Sequence, residues 1–126
     1  MSGYEAYTES TENYLETIFM LSRQRGSVRA ADVCAHMGFS RPTVSVALKQ
    51  MREKGLVLVD EDYQITLTEK GEAVAMRTYE RHKVISFFLL HIGVSETTAY
   101  EDACKIEHDL SDETFARLKE YCDGLY

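Results

Sequence analysis

Cys104, Glu107 and His108 place a thiol, a carboxylate and an imidazole at positions i, i+3 and i+4, which share one face of a helix. Three such side chains can ligate one divalent cation, provided another segment supplies the remaining ligands. The same residues also fit a plainer description, a half-buried cysteine beside a solvated Glu-His pair. Two further segments bear on the choice. His82 falls on a long helix, and Asn13 and Glu16 lie three apart on one face of the first helix. Taken singly, His82 is a surface residue beside Arg81 and Glu16 is a solvated charge.

The elements that would position these residues are marked by periodicity and caps. Leu15, Ile18, Phe19 and Ser22 follow the spacing of an amphipathic helix from about Ser10 to Arg23, with Ser10 or Thr11 as N-cap and Gly26 as its end. Ala30, Val33, Cys34 and Met37 repeat that spacing in a short second helix closed by Gly38. A third helix starts at an N-cap Ser40 with Pro42 in its first turn and Phe39 and Val44 placed as a hydrophobic staple. Val44, Ala47, Leu48 and Met51 form its buried stripe, and Gly55 stops it. Leu56 to Val59, the turn Asp60 to Tyr63, and Ile65 to Leu67 predict a two-stranded hairpin.

Thr68 then caps a long helix running to about Ile92, whose stretch Val84 to Leu90 is apolar nearly all round and needs partners on more than one side, the domain core and a second subunit. Gly93 breaks it. Ser95 caps the next helix to about Leu110, and Ser111 a last one through Cys122.

Helix, short turn, helix and hairpin is the order of a winged helix-turn-helix, in which the second helix of the pair enters the major groove of DNA. The face opposite the buried stripe carries Ser45, Lys49 and Arg52, with Arg41 and Thr43 at its N-terminal end. Ser40, Arg41, Pro42, Thr43 and Ser45 are therefore the candidates near base edges, and Lys49 and Arg52 the candidates for phosphates. A small helical domain with a basic face is the plainer alternative.

Composition agrees once its distribution is considered. The 126 residues carry a net charge of −7, which by itself argues against a nucleic-acid partner. From Arg23 to Lys83, however, eleven Lys/Arg face eight Asp/Glu, a net +3, while residues 1–22 carry −4 and residues 84–126 carry −6. A basic middle between acidic flanks suits an anion-binding module beside cation-binding segments. The hydrophobic fraction of 44% supports a real core in one compact domain or two small ones. No apolar run approaches the roughly 20 residues of a membrane span, and the N-terminus lacks the basic and apolar regions of a signal peptide. Three widely spaced cysteines, Cys34, Cys104 and Cys122, do not form a disulfide framework. A cytoplasmic location follows as an expectation.

The motifs together resemble the diphtheria-toxin-repressor family of metal-dependent transcriptional regulators, which includes iron-dependent repressors and manganese transport regulators. The resemblance runs through Glu12-Asn13-Tyr14-Leu15-Glu16, Ser40-Arg41-Pro42-Thr43-Val44-Ser45, Leu67-Thr68-Glu69-Lys70-Gly71, Arg81-His82 and Cys104-Lys105-Ile106-Glu107-His108. It implies a mainly α fold, with a winged helix-turn-helix DNA-binding domain over 1–72 followed by a helical metal-binding and dimerisation domain over 73–126. It also implies that Glu107 and His108 match ligands shared across the family. Cys104 matches the cysteine of the iron-dependent branch, and Glu16 and His82 match ligands of the manganese branch. His82 also matches a histidine of the iron branch's second site. Asn13 stands where the iron branch has methionine and the manganese branch aspartate. Ser86 and Tyr100 stand where the iron branch's second site has glutamate and histidine. The sequence ends before the SH3-like third domain of the iron branch, so a two-domain arrangement like that of the manganese branch is expected.

The expected function is that of a repressor which binds double-stranded operator DNA as a homodimer when Glu16, Asn13, His82, Cys104, Glu107 and His108 hold Fe²⁺ or Mn²⁺, with Zn²⁺, Co²⁺ or Ni²⁺ as further candidates. No small-molecule substrate or membrane partner is expected. A metal-independent or redox-responsive winged-helix regulator is the alternative. A metallohydrolase ranks last, because no separate general base accompanies the ligand set.

Overall fold

The computed structural model describes residues 7–125. Its elements are α1 (Glu9–Arg25), β1 (Val28–Arg29), α2 (Ala30–Met37), α3 (Arg41–Glu53), β2 (Val57–Val59), β3 (Gln64–Leu67), α4 (Glu69–His91), α5 (Glu96–Ile106) and α6 (Asp112–Asp123). The fold is mainly helical, and the order α2, α3, β2, β3 is that of a winged helix-turn-helix. Two compact units form, one ending at Met76 and the other beginning at Arg77. The expected division after residue 72 falls, like this one, inside α4. Among the described residues no helix is long and apolar enough to cross a membrane.

In the first unit, Leu15, Ile18, Val33, Val44, Met51 and Leu56 are buried to within 2% of complete enclosure. Each contributes on the order of 1.5–3 kcal/mol by leaving water. The three helices thus meet through the apolar stripes that their spacing predicts. The Ser40 hydroxyl accepts from the Thr43 amide at 3.3 Å, and Gly38 takes the left-handed conformation at φ 71° that ends α2. Phe39, placed by sequence as a staple toward Val44, has its ring centroid 6.0 Å from that of Tyr14.

Three details differ from the sequence expectations. First, α1 begins at Glu9 rather than Ser10, and its cap is Thr8, whose hydroxyl accepts from the Thr11 amide. Thr11, expected as a cap, is itself the capped residue. Second, the hairpin is part of a three-stranded antiparallel sheet in the order β1-β3-β2, with Val28 opposite Ile65 and Leu58 opposite Thr66. A two-residue strand has no periodicity to reveal it; β1 exists because β3 offers it an edge. Third, α5 ends at Ile106 instead of Leu110, which leaves Glu107 as its C-cap and His108 beyond it. The reason lies on α4, where the buried Arg81 guanidinium donates to the carbonyls of Glu107 at 3.3 Å and Leu110 at 2.6 Å. A carbonyl held from the side in this way is drawn away from the next helical turn.

Where α4 starts, the Thr68 amide donates to the Leu56 carbonyl at 3.0 Å, and the Thr68 hydroxyl donates to the Gly55 carbonyl at 2.6 Å. The same hydroxyl accepts from the Gly71 amide at 3.1 Å. This docking brings the helix backbone so close to Leu56 that a Cβ at Gly71 would collide with the Leu56 carbonyl oxygen and lie 2.9 Å from its carbon. Gly71→Ala is accordingly expected to lower unfolding stability by about 2 kcal/mol or more, since backbone cannot move aside as a flexible side chain would. Denaturant titration followed by circular dichroism measures this, and an unchanged midpoint would show that α4 shifts freely.

Candidate metal centre and nucleic-acid interface

Adjacent residues on α4 grip the end of α5. While Arg81 holds the Glu107 backbone carbonyl, the His82 Nδ1 lies 2.8 Å from the Glu107 Oε2. Cys104, one turn earlier on α5, brings its Sγ to 3.7 Å from the same Nδ1. The ligand atoms of His82, Cys104 and Glu107 all lie within 4.8 Å of one another, and no other group of three His, Cys, Asp or Glu side chains does so among the described residues. Donors bonded to one ion at about 2.0–2.3 Å are separated by roughly 3–4.5 Å, so the spacing suits a shared cation.

His108 stands on the other side of the same carboxylate, with Nε2 3.4 Å from the Glu107 Oε1. The Glu107 side chain has no exposed surface, and that of His108 has 2%. The Glu107 Oε1 is buried without a hydrogen bond. A carboxylate oxygen in that condition costs free energy that a cation would recover, and thiolate, imidazole and carboxylate are the donor types transition metals take. The residues present therefore fit a divalent metal.

Ser86 and Tyr100 flank His82 away from Glu107. The Ser86 Oγ is 3.5 Å from the His82 Nε2, and the Tyr100 ring meets the imidazole edge-on at 4.6 Å. Neither adds a carboxylate or imidazole. Arg81 completes the surroundings by pairing with Asp112 at 2.8 Å and lying 5.1 Å from the Phe115 ring centroid. Sequence reasoning treats it only as a neighbour of His82, because a buried arginine has no signature in periodicity. Asn13 and Glu16 are half-buried on α1 in the first unit.

On the first unit, all seven candidate DNA contacts are exposed: Ser40, Arg41, Pro42, Thr43, Ser45, Lys49 and Arg52. Six of them lie on α3 and Ser40 caps it, while Val44, Leu48 and Met51 of the same helix are buried. The hairpin tip is built on Asp60, whose Oδ1 accepts from the amides of Asp62 at 2.8 Å and Gln64 at 2.9 Å. Tyr63 at this tip carries no sequence signal of a role, yet its ring centroid lies 5.6 Å from the Arg41 guanidinium carbon. Lys54 and Lys70 add cations around the Tyr7 ring, at 6.0 and 5.9 Å from its centroid. An exposed helix face with cations at its ends is the form in which proteins meet a major groove and its phosphates.

Family models agree with this division of labour. That of the iron dependent repressor N-terminal DNA binding domain matches residues 6–64, and that of the iron dependent repressor metal binding and dimerisation domain matches residues 68–125. The transcriptional regulator MntR of Escherichia coli O6:H1 is 39% identical over 106 residues, covering 84% of this chain and 68% of the relative. The solved manganese regulator SloR superposes with a TM-score of 0.79 at 31% identity over 90% of this chain, and the metal-dependent transcriptional regulator MtsR with 0.84 at 30% over 93%. The chain spans about half the length of these two, 53% and 55%. The helix-turn-helix, the clustered His82, Cys104 and Glu107, and these matches lead to one assignment: the chain belongs to the iron dependent repressor family of transcriptional regulators, also called the diphtheria-toxin-repressor family.

Proposed function

We propose that this chain is a cytoplasmic repressor that binds operator DNA as a homodimer when it holds Fe²⁺ or Mn²⁺. The observation that carries the reading is the enclosed Glu107 carboxylate, set between His82 and His108 with Cys104 alongside. His82, Cys104, Glu107 and His108 act as ligands, and Glu16 with Asn13 on α1 completes the set. A cation bound there supplies two positive charges and compensates the buried carboxylate. Drawing ligands from both α1 and α4–α5 lets occupancy favour one arrangement of the DNA-reading units over others, which is the only way a ligand can change affinity at another site. Ser40, Arg41, Pro42, Thr43 and Ser45 then meet base edges, and Lys49 and Arg52 the phosphates. Leu90 and Ile92, exposed at and just beyond the end of α4, support pairing with a second copy.

The thiolate of Cys104 favours Fe²⁺ and the later transition ions, whereas the oxygen and nitrogen donors serve Mn²⁺ as well. DNA binding should therefore require metal. Fluorescence anisotropy on duplexes selected from a random-sequence library should show tight binding with Mn²⁺ or Fe²⁺ and its loss on chelation, and equal binding in both states would refute the reading. Cys104→Ala should weaken metal-dependent binding with Fe²⁺ or Co²⁺ about tenfold more than with Mn²⁺, a difference of about 1.4 kcal/mol; equal losses would remove Cys104 from the ligand set. Glu16→Ala should leave the circular dichroism spectrum intact but lower metal affinity in calorimetry by about tenfold or more, on the scale of losing a group that supports a metal site. Unchanged affinity would confine the ligands to the second unit.

A further inference from the structure

Two local rules are broken at one pair of residues on the first unit. Tyr63 holds φ 60°, a conformation that favours glycine, asparagine or aspartate over a bulky side chain. The residue is 61% exposed and so adds little to the core. Arg41 opens α3, whose first turn contains no acidic residue, although a helix N-terminus disfavours cations. These choices help neither the turn nor the helix. They do bring the Arg41 guanidinium to 5.6 Å from the centroid of the Tyr63 ring, within the range of a cation–π contact. Local preferences that yield at one spot without gain in packing are expected where function sets the residue.

We infer that Tyr63 is a positioning residue for DNA reading, holding Arg41 from the wing tip in the orientation with which it meets a guanine edge in the major groove. The inference rests on the operator-binding reading above and refines it. Three steps support it. A cation–π contact uses none of the five N–H donors of a guanidinium, so the fork that pairs with guanine N7 and O6 stays available. A long arginine on an exposed helix end otherwise samples many rotamers, and restricting them before binding reduces the entropy lost on contact. The tip that presents the ring is fixed, because the Asp60 carboxylate accepts from two turn amides and the Tyr63 amide donates to the Asp60 carbonyl at 3.1 Å.

The test uses the full chain with Mn²⁺ and a random-sequence duplex library. Bound duplexes are sequenced, and affinities for the most enriched duplex and a scrambled one are measured by anisotropy. Tyr63→Phe, which keeps the ring, should preserve the ratio of the two affinities within about twofold, whereas Tyr63→Leu should lower it about 2- to 5-fold, the range of an exposed cation–π contact. In an Arg41→Ala background, Tyr63→Leu should change nothing further. The proposal is overturned if Tyr63→Leu leaves the ratio unaltered, if it weakens both duplexes equally, or if its effect persists without Arg41, which would mean that Tyr63 touches DNA itself. Should the unaltered chain enrich no duplex with or without metal, the operator-binding reading fails first and this one with it.

Discussion

The second unit is arranged around a carboxylate with no surface open to water. Desolvating an ionised Glu107 alone would cost several kcal/mol, so its surroundings must answer the charge from several directions. His82 does so at Oε2, and His108 lies close to Oε1 without a hydrogen bond. Arg81 holds the peptide that carries the side chain, and is itself enclosed with its donors directed to the Glu107 and Leu110 carbonyls and to Asp112. Successive residues of one helix thus restrain the backbone and the side chain of the same glutamate. A geometry restrained in this way is prepared for a ligand ion, because little ordering remains to be done when one binds.

The first unit obeys a different constraint. Its α3 must bury one stripe and leave the other bare, and Val44, Leu48 and Met51 accomplish the first with full enclosure or nearly so. The exposed stripe can then be polar without loss to the core. Charge follows the same division. The stretch Arg23–Lys83 has a net +3 within a chain of −7, so the surface that would approach phosphates is locally favourable while the remainder is not. Each divalent ion bound by the acidic remainder adds two positive charges and lessens that opposition.

What could be read from sequence was whatever a single helix or turn encodes. Ser40, Pro42 and the apolar spacing of α3 act within thirteen residues, and the helix, its start and its buried face follow from them. The same local logic picks out Cys104, Glu107 and His108 as metal-ligand types, but not that His82 of α4 rather than His108 gathers with Cys104 and Glu107. It fails where a partner distant in sequence decides. The strand at Val28–Arg29 depends on β3. The early end of α5 coincides with the hold of Arg81, some twenty-five residues away, and Arg41 meets Tyr63 of the hairpin tip. In each of these a side chain or strand edge supplies hydrogen bonds or charge to a segment whose own residues are compatible with more than one conformation.

His82 shows how that distant control narrows the chemistry. Its two nitrogens face unlike neighbours, Nδ1 toward Glu107 and Cys104 and Nε2 toward Ser86, with Tyr100 edge-on beside the ring. A hydroxyl at Ser86 can orient an imidazole, but it is a poor substitute for a carboxylate as a ligand to a divalent ion. The imidazole thus presents Nδ1 to the Cys104–Glu107 side and Nε2 to the Ser86 hydroxyl. One soft sulfur then stands among harder oxygen and nitrogen donors. If the proposed ligand set holds a metal, ions that bind thiolate well would gain from Cys104 while Mn²⁺ would gain little, so this single sulfur, more than the number of ligands, would set the preference among first-row metals.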